Sequence, residues 1–259
     1  VRSDWRLMQQ YFIKGKAEKQ VTITDKDTIK HMFQVMRLTD EAELVLVFDD
    51  GVKYLAKVTN SISHELEIIE TLPDQVELPV EVTIASGFPK GDKLDTIAQK
   101  VTELGADALW GYPADWSVVK WDGKKLAKKE DKLAKIVLGA AEQSKRNKVP
   151  EVRLFEQKVE FLKALPDFDH MFVAYEETAK AGQLATLARE LKDVKSGAKI
   201  LFIFGPEGGI SPNEMAHFEA AGAIKVGLGP RIMRTETAPL YALSAISYAL
   251  ELQVASDKD

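Results

Sequence analysis

Two glycine-bearing segments near the carboxyl end of the chain hold the residues best suited to chemistry. Gly205-Pro206-Glu207-Gly208-Gly209 follows the apolar run Ile200-Leu201-Phe202-Ile203-Phe204, and Gly229-Pro230-Arg231-Ile232-Met233-Arg234-Thr235-Glu236-Thr237-Ala238 follows the short run Val226-Gly227-Leu228. Open α/β sheets bind ligands just beyond the carboxyl ends of their strands, and glycine lets backbone amides approach a ligand closely. A tight strand-to-helix turn uses glycine for the same steric reason, so the first segment by itself fits a turn as well as a binding loop. It is neither G-x-G-x-x-G nor Walker A, because no Gly-Lys-Ser/Thr follows, and Gly227-Leu228-Gly229 lacks a third glycine. Dinucleotide and P-loop readings therefore lose their main support.

Arg234-Thr235-Glu236-Thr237 places four polar residues between an apolar strand and an apolar helix. Thr235 can cap that helix and Glu236 can complement its dipole. Neither role explains Arg234, since a partly buried Arg needs an anion or a carboxylate beside it. Glu207 or Glu236 can be that carboxylate, which would make the cluster structural; an anionic ligand would make it functional. Upstream, Thr102-Glu103-Leu104-Gly105 and Glu142-Gln143-Ser144-Lys145-Arg146 read on their own as a helix C-cap and a polar helix end.

The elements that must position these residues change character along the chain. Tyr11-Phe12-Ile13, Val21-Thr22-Ile23, Leu44 to Phe48, Val52 to Thr59 and Leu66 to Ile69 are short β-type runs, with Asp49-Asp50-Gly51 as a hairpin signal. One helix interrupts them, capped by Asp25 or Asp27, with Ile29, Met32, Phe33 and Met36 as its apolar face. This pattern predicts a small β-barrel over 1–72, a linker at 73–79 bracketed by Pro73 and Pro79, and a second domain over 80–259. In the second part strands and helices alternate. Strands are expected at Val80 to Ala85, Ala108 to Trp110, Met171 to Tyr175, Ile200 to Phe204 and Val226 to Leu228. Helices are expected from Asp92 to just before Gly105, Leu126 to Lys145, Leu184 to Leu191, 211–221, and onward from about Glu236. The 211–221 helix has Ser211 at the N-cap, Pro212 at N1, Glu214 at N3 and Gly222 beyond its end. Such alternation implies an α/β domain with a largely parallel sheet.

With 45% hydrophobic and 29% charged residues the composition is that of an ordinary globular protein. The absence of cysteine excludes disulfides, thiolate metal sites and Cys nucleophiles and fits a reducing compartment. His31, His64, His170 and His217 show no ligand spacing, so no metal is expected. The amino-terminal stretch has no apolar signal-type segment, and Met8-Gln9-Gln10-Tyr11-Phe12 reads as a native start, the residues before it being unordered or part of an upstream start. The longest uncharged helical run, Ala238 to Leu250, is too short to span a bilayer and suits a core or a subunit interface. A net charge of -5 argues against a nucleic-acid partner, but its distribution is uneven. Lys120, Lys124, Lys125, Lys128, Lys129, Lys132, Lys135, Lys145, Arg146 and Lys148 face only Asp122, Glu130, Asp131 and Glu142 between positions 120 and 148. That stripe can be a solvated helix face or can bind phosphates.

The combined motifs resemble the ribosomal RNA small subunit methyltransferase E family, uridine-N3 methyltransferases of the trefoil-knotted SPOUT class. The resemblance rests on Phe204 to Gly209 with Leu228 to Ala238. It extends to Lys100-Val101-Thr102-Glu103-Leu104-Gly105, Ala141 to Arg146 with Val149-Pro150, and His31 with Val35-Met36-Arg37. It covers nearly the whole chain, with Met233 where the family often has Leu. It implies a PUA-like RNA-binding domain followed by an α/β-knot methyltransferase domain. It also implies S-adenosylmethionine held by three loops: Ala174-Tyr175-Glu176, Phe204 with Gly205, Pro206, Glu207 and Gly208, and a third that contributes Leu228, Gly229, Ile232, Met233, Arg234, Thr235, Thr237 and Ala238. Arg234, Glu236 and Glu207 are then the catalytic candidates, and His31, Arg37, Gln143 and Arg146 the RNA-binding ones. The implied substrate is a uridine of small-subunit (16S) ribosomal RNA, the implied assembly a cytoplasmic homodimer without metal or membrane.

Two other readings fit the same residues. A non-catalytic RNA-binding or ribosome-assembly protein could keep this fold, although the intact Arg234-Thr235-Glu236-Thr237 loop argues for activity. An α/β enzyme with a phosphate-bearing cofactor on the glycine loops would need the fingerprints that are missing.

Overall fold

The computed structural model describes residues 5–73, 75–175 and 185–253. The chain divides into two compact units, Val1–Glu77 with Ala141–Val149, and Leu78–Ala140 with Pro150–Asp259.

In the first unit, β1 (Gln10–Phe12), β2 (Gln20–Thr22), β3 (Glu43–Val47), β4 (Lys53–Asn60) and β5 (Glu65–Leu72) form a curled, half-barrel sheet in the order β1-β3-β4-β5-β2. β1 runs parallel to β3 and the other pairs are antiparallel. Gly51, at φ +69°, turns the hairpin between β3 and β4. Side chains alternate across a strand: Leu44 and Leu46 of β3 enter a core with Tyr11, Met32 and Leu66, while Val45 meets Leu55 and Leu72 on the other face. Helix α1 (Lys26–Ile29) begins at Asp25, whose carboxylate accepts the Thr28 amide. The helix continues as π-helical turns over Lys30–Val35, which puts Met32 in the core and half-buries Ile29 and Phe33 against it.

Ala141–Val149 is tied into this unit by an ion pair from a distant segment. Arg146 is 2% exposed, and its Nε donates to both oxygens of Glu77 at 3.0 and 2.9 Å. The Asn147 amide donates to the same carboxylate at 2.7 Å, and Gln10 Nε2 donates to the Arg146 carbonyl at 2.7 Å. Arg146, one of the expected RNA contacts, thus has its guanidinium engaged by the half-buried Glu77 carboxylate. Beside it, burial raises Glu142 to about 7 against the opposing Phe12 amide and Lys145. Burial, then Glu142, pushes Tyr11 to about 12.

In the second unit, β6 (Glu81–Gly87), β7 (Ala108–Tyr112), β8 (Glu151–Leu154), β9 (His170–Ala174), β10 (Lys199–Phe204) and β11 (Ile224–Val226) form a parallel sheet in the order β11-β9-β10-β6-β7-β8. Parallel neighbours need crossover connections. The described ones include α2 (Lys93–Glu103), α3 (Gly123–Gln143), α4 (Lys158–Lys163), α5 (Thr186–Glu190) and α6 (Pro212–Ala220); α7 (Ala238–Ser247) follows the last strand. Helices on both faces explain why β10 is apolar at nearly every position. Ile200, Phe202 and Phe204 pack with Ile97, Val101, Leu133, Val137, Leu243 and Ile246. Leu201 and Ile203 pack with Phe161, Met215 and Phe218 on the other side.

Several boundaries differ from the sequence expectation. β11 ends at Val226, because it is Ile224–Val226 that pair with Phe172–Ala174. α3 stops at Gln143, and Lys145 turns the chain at φ +60°. Asp92 precedes α2 without a side-chain bond to it and meets Lys132 instead. The Ser211–Glu214 capping box forms as the spacing requires. Among the described residues no helix is long and apolar enough to cross a membrane.

Two stability outcomes follow from the first unit. Removing one partner of a buried ion pair costs about 3–5 kcal/mol, so Glu77→Ala should lower the urea midpoint by that equivalent, read by circular dichroism. Glu142 titrates higher in the fold than its ordinary 4.5. Its contribution is therefore complete below that ordinary value and lost as pH rises through about 7. The melting temperature of Glu142→Gln should gain on wild type as pH is raised from 5 to 8; a pH-independent difference refutes this.

Candidate functional site

Three loops meet at one edge of the parallel sheet because β9 lies between β10 and β11. Phe172 is level with both Phe202 and Ile224, so the three strands run out together. Beyond them come Ala174-Tyr175, Gly205 to Gly209 and Leu228 to Ala238; Glu176, the third residue expected in the first loop, lies outside the described residues. The Tyr175 amide donates to the Val226 carbonyl at 3.0 Å, which fixes the first loop against the third. Ala174, Tyr175 and Leu228 are half-buried and apolar, whereas Phe204 and Pro206 are buried.

The carboxylates expected to meet Arg234 are taken by Lys93, at the first turn of α2. Lys93 Nζ donates to Glu207 Oε1 at 2.8 Å and lies 3.6 Å from Glu236 Oε2. It bridges the second and third loops. The Lys90 amide donates to both Glu207 oxygens at 3.1 and 3.4 Å. Burial pulls the Glu207 carboxyl up, but Lys93, its own amide and the Lys90 amide together hold it below the usual range. The hydrogen bond to Glu207, reinforced by both carboxylate charges, in turn raises Lys93. Sequence reasoning passed over Lys93. One signal existed: a cation in a helix's first turn opposes the helix dipole unless carboxylates compensate it.

Arg234 is exposed, and its guanidinium meets no carboxylate among the described residues. Its carbonyl accepts the Thr237 and Ala238 amides at 2.9 and 3.1 Å and so starts α7. Thr237, not Thr235, is the N-cap, without a side-chain bond. Glu236 Oε2 is a buried acceptor with no hydrogen-bond donor among the described residues. Ile232 is 80% exposed, and Met233 and Gly229 are half-buried.

A fourth segment, after β7, packs on the glycine loop. A Cβ on Gly208 would stand 2.9 Å from the Trp116 Cβ, and one on Gly205 only 2.7 Å from the Gly209 carbonyl carbon. Both glycines are thus required by packing within the protein, as a tight turn demands. The capping box holds the Trp116 segment in place: buried Glu214 also accepts the Asp115 amide at 2.9 Å and meets Lys158 at 3.0 Å. Asp115, held low chiefly by Lys158 and then Ser211, completes the network.

The RNA-binding candidates lie in the first unit. His31 is exposed, with Nδ1 3.1 Å from the Tyr11 hydroxyl. Arg37 is exposed just beyond the π-helical turns at φ +55°, and Gln143 is exposed at the end of α3. Arg146 alone is buried. Among the described residues no group of three His, Cys, Asp or Glu could hold a metal ion.

A parallel α/β sheet with converging loops, preceded by a curled β unit, defines the class. A family model described as an RNA methyltransferase domain matches residues 76–247, and one described as an RNA methyltransferase PUA domain matches 23–71. The chain belongs to the ribosomal RNA small subunit methyltransferase E family. It is 41% identical to the Bacillus subtilis protein of that name over 95% of this chain and 98% of the other. It is 32% identical to the Synechocystis protein of the same name, over 90% and 75%. The crystal structure of a Neisseria gonorrhoeae ribosomal RNA small subunit methyltransferase E bound to S-adenosyl methionine superposes with a TM-score of 0.76 at 28% identity, over 93% and 97%.

Lys93→Met should raise the pKa of Glu207, since burial then acts with less opposition. Carbon-detected NMR titration of the Glu207 carboxyl reads this directly, and an unmoved value would show that the backbone amides alone hold it.

Proposed function

We propose that the protein is an S-adenosylmethionine-dependent methyltransferase that methylates N3 of a uridine in small-subunit (16S) ribosomal RNA. The observation that carries this is the meeting of three loops at the ends of β9, β10 and β11, with a buried carboxylate oxygen of Glu236 that Lys93 approaches only to 3.6 Å, beyond hydrogen-bond length. A buried carboxylate oxygen with room for a closer donor fits the N3–H of a uridine, and the half-buried Ala174, Tyr175 and Leu228 supply an apolar floor. S-adenosylmethionine, when bound, supplies an electrophilic methyl group; the residues that would hold it are Ala174, Tyr175, Gly205, Pro206, Gly208, Leu228, Gly229, Ile232, Met233, Thr235, Thr237 and Ala238.

Uridine N3 carries a proton that must leave. Glu207 has both oxygens engaged by the Lys90 amide and Lys93, so it positions the loops. Glu236 Oε2 has Lys93 only at 3.6 Å and no hydrogen-bond donor among the described residues, so it is the better base. Arg234, exposed beside it in sequence and uncommitted to any described carboxylate, offers positive charge to the uracil oxygens as the N3 proton departs. His31, Arg37 and Gln143 of the PUA-like unit contact the RNA.

The family resemblance supports a trefoil-knotted path through the three loops and a cytoplasmic homodimer. Tyr241, Tyr248 and Leu252, 41%, 60% and 63% exposed along α7 and the turns after it, are the apolar residues such a dimer would cover.

The test is transfer of labelled methyl to small subunits that lack the modification, with the product mapped by mass spectrometry. Wild type should yield N3-methyluridine. Removing one charge-stabilising donor typically lowers turnover ~10²–10³-fold, the loss expected for Arg234→Ala. Glu236→Gln should lose turnover while keeping S-adenosylmethionine affinity, and undiminished turnover would remove Glu236 as base. Donor binding without transfer to subunits or naked RNA would point to another substrate.

A further inference from the structure

The basic stripe on α3 is not an even scatter of solvated charge. Lys125, Lys128, Lys129 and Lys132 share one face and, with Trp121, line a cavity of about 420 Å³. Trp121 comes from the segment between β7 and α3, and it is the ring at the head of the groove. Lys129 Nζ lies 5.5 Å from its centroid, within cation–π range. Lys132 is bound to Asp95 and lies 3.6 Å from Asp92. Lys125 and Lys128 are exposed and meet no carboxylate among the described residues. Of the acids nearby in sequence, Asp122 accepts the Lys125 amide at 3.0 Å as a helix cap, and Glu130 accepts the Leu154 amide at 3.0 Å.

The groove is also joined to the candidate site. The Trp121 ring packs on Phe88 with centroids 4.4 Å apart. Phe88 opens the same short segment that sends the Lys90 amide and Lys93 to Glu207. The segment holding Trp121 also holds Trp116, which touches Gly208. Aromatic rings beside a row of lysines are the pattern that binds single-stranded nucleic acid: bases stack on the rings and phosphates follow the cations.

We propose that this groove is a binding site for an unpaired RNA strand, with a base stacked on Trp121 and phosphates on Lys125 and Lys128. A base reaching the ring displaces the Lys129 ammonium onto a phosphate. The inference rests on the methyltransferase reading in that the strand is the one bearing the target uridine; it names the residues that hold that strand outside the reaction centre.

The experiment measures affinity for a short labelled single-stranded RNA and for small subunits, against salt, with S-adenosylmethionine affinity in parallel. Stacking of one base predicts about tenfold weaker RNA binding for Trp121→Ala with an unchanged salt slope. Trp121→Phe, which keeps a ring against Phe88, should retain most of the affinity and guards against a folding defect. Replacing both lysines by Gln should reduce the salt slope by about 1.4, roughly 0.7 for each phosphate contact on a single strand. Donor affinity should be the same in all variants. Wild-type affinity and slope in the Trp121→Ala and double-lysine proteins would overturn the groove and leave the activity standing. Methyl transfer absent from wild type, with RNA binding still dependent on Trp121, would overturn the activity and keep the groove. Weaker binding to subunits with unchanged binding to the short RNA would assign the lysines to an acidic protein surface and overturn the proposal.

Discussion

Parallel pairing of β9 between β10 and β11 is the constraint on which the site depends. Strands that run parallel deliver their following loops to one edge, and strands in level register deliver them at one height. Each such strand must be reached by a crossover, so helices cover both faces and the central strand β10 is apolar at nearly every position. β6 and β7 continue the same sheet, which brings the Phe88–Lys93 segment and the two tryptophans to the edge where the three loops meet. Glycine at 205 and 208 lets the loops approach one another and Trp116 without a clash. Close packing of these loops therefore comes from that absence of a side chain.

The charges at that edge are divided by reach. Lysine is a compact charge on a long stem, suited to joining two carboxylates from different loops, whereas arginine presents a planar fork. Lys93 secures Glu207 and lies loosely against Glu236, which holds the second and third loops together. Arg234 is left facing outward, with only its carbonyl engaged in starting α7. In the first unit the roles are reversed. Arg146, in a stretch that reads as a polar helix end, is the buried guanidinium, and Glu77 with the Asn147 amide completes its surroundings. Two arginines in similarly polar stretches thus come to opposite uses, according to what the fold brings beside them.

What the sequence by itself determined is everything that depends on near neighbours. The capping box at Ser211 and Glu214, a helix cap at Asp25 or Asp27, the hairpin at Gly51 and the continuous apolar run of β10 all follow from spacings of a few residues. So do the position of two loops at strand ends and the α/β class. The motif resemblance added the family from local patterns of the same kind. Only the tertiary structure decided which charges meet. Lys93 and Glu207 are 114 residues apart, Arg146 and Glu77 are 69 apart, and Trp116 reaches Gly208 across a sheet neighbour. No periodicity records such a contact, because it exists only once strands from distant parts of the chain have taken adjacent places. The side chains at 93, 146 and 234 carry the same sign of charge in the sequence. Burial and the partner brought to each make one a clasp, one a buried anchor and one an exposed cation.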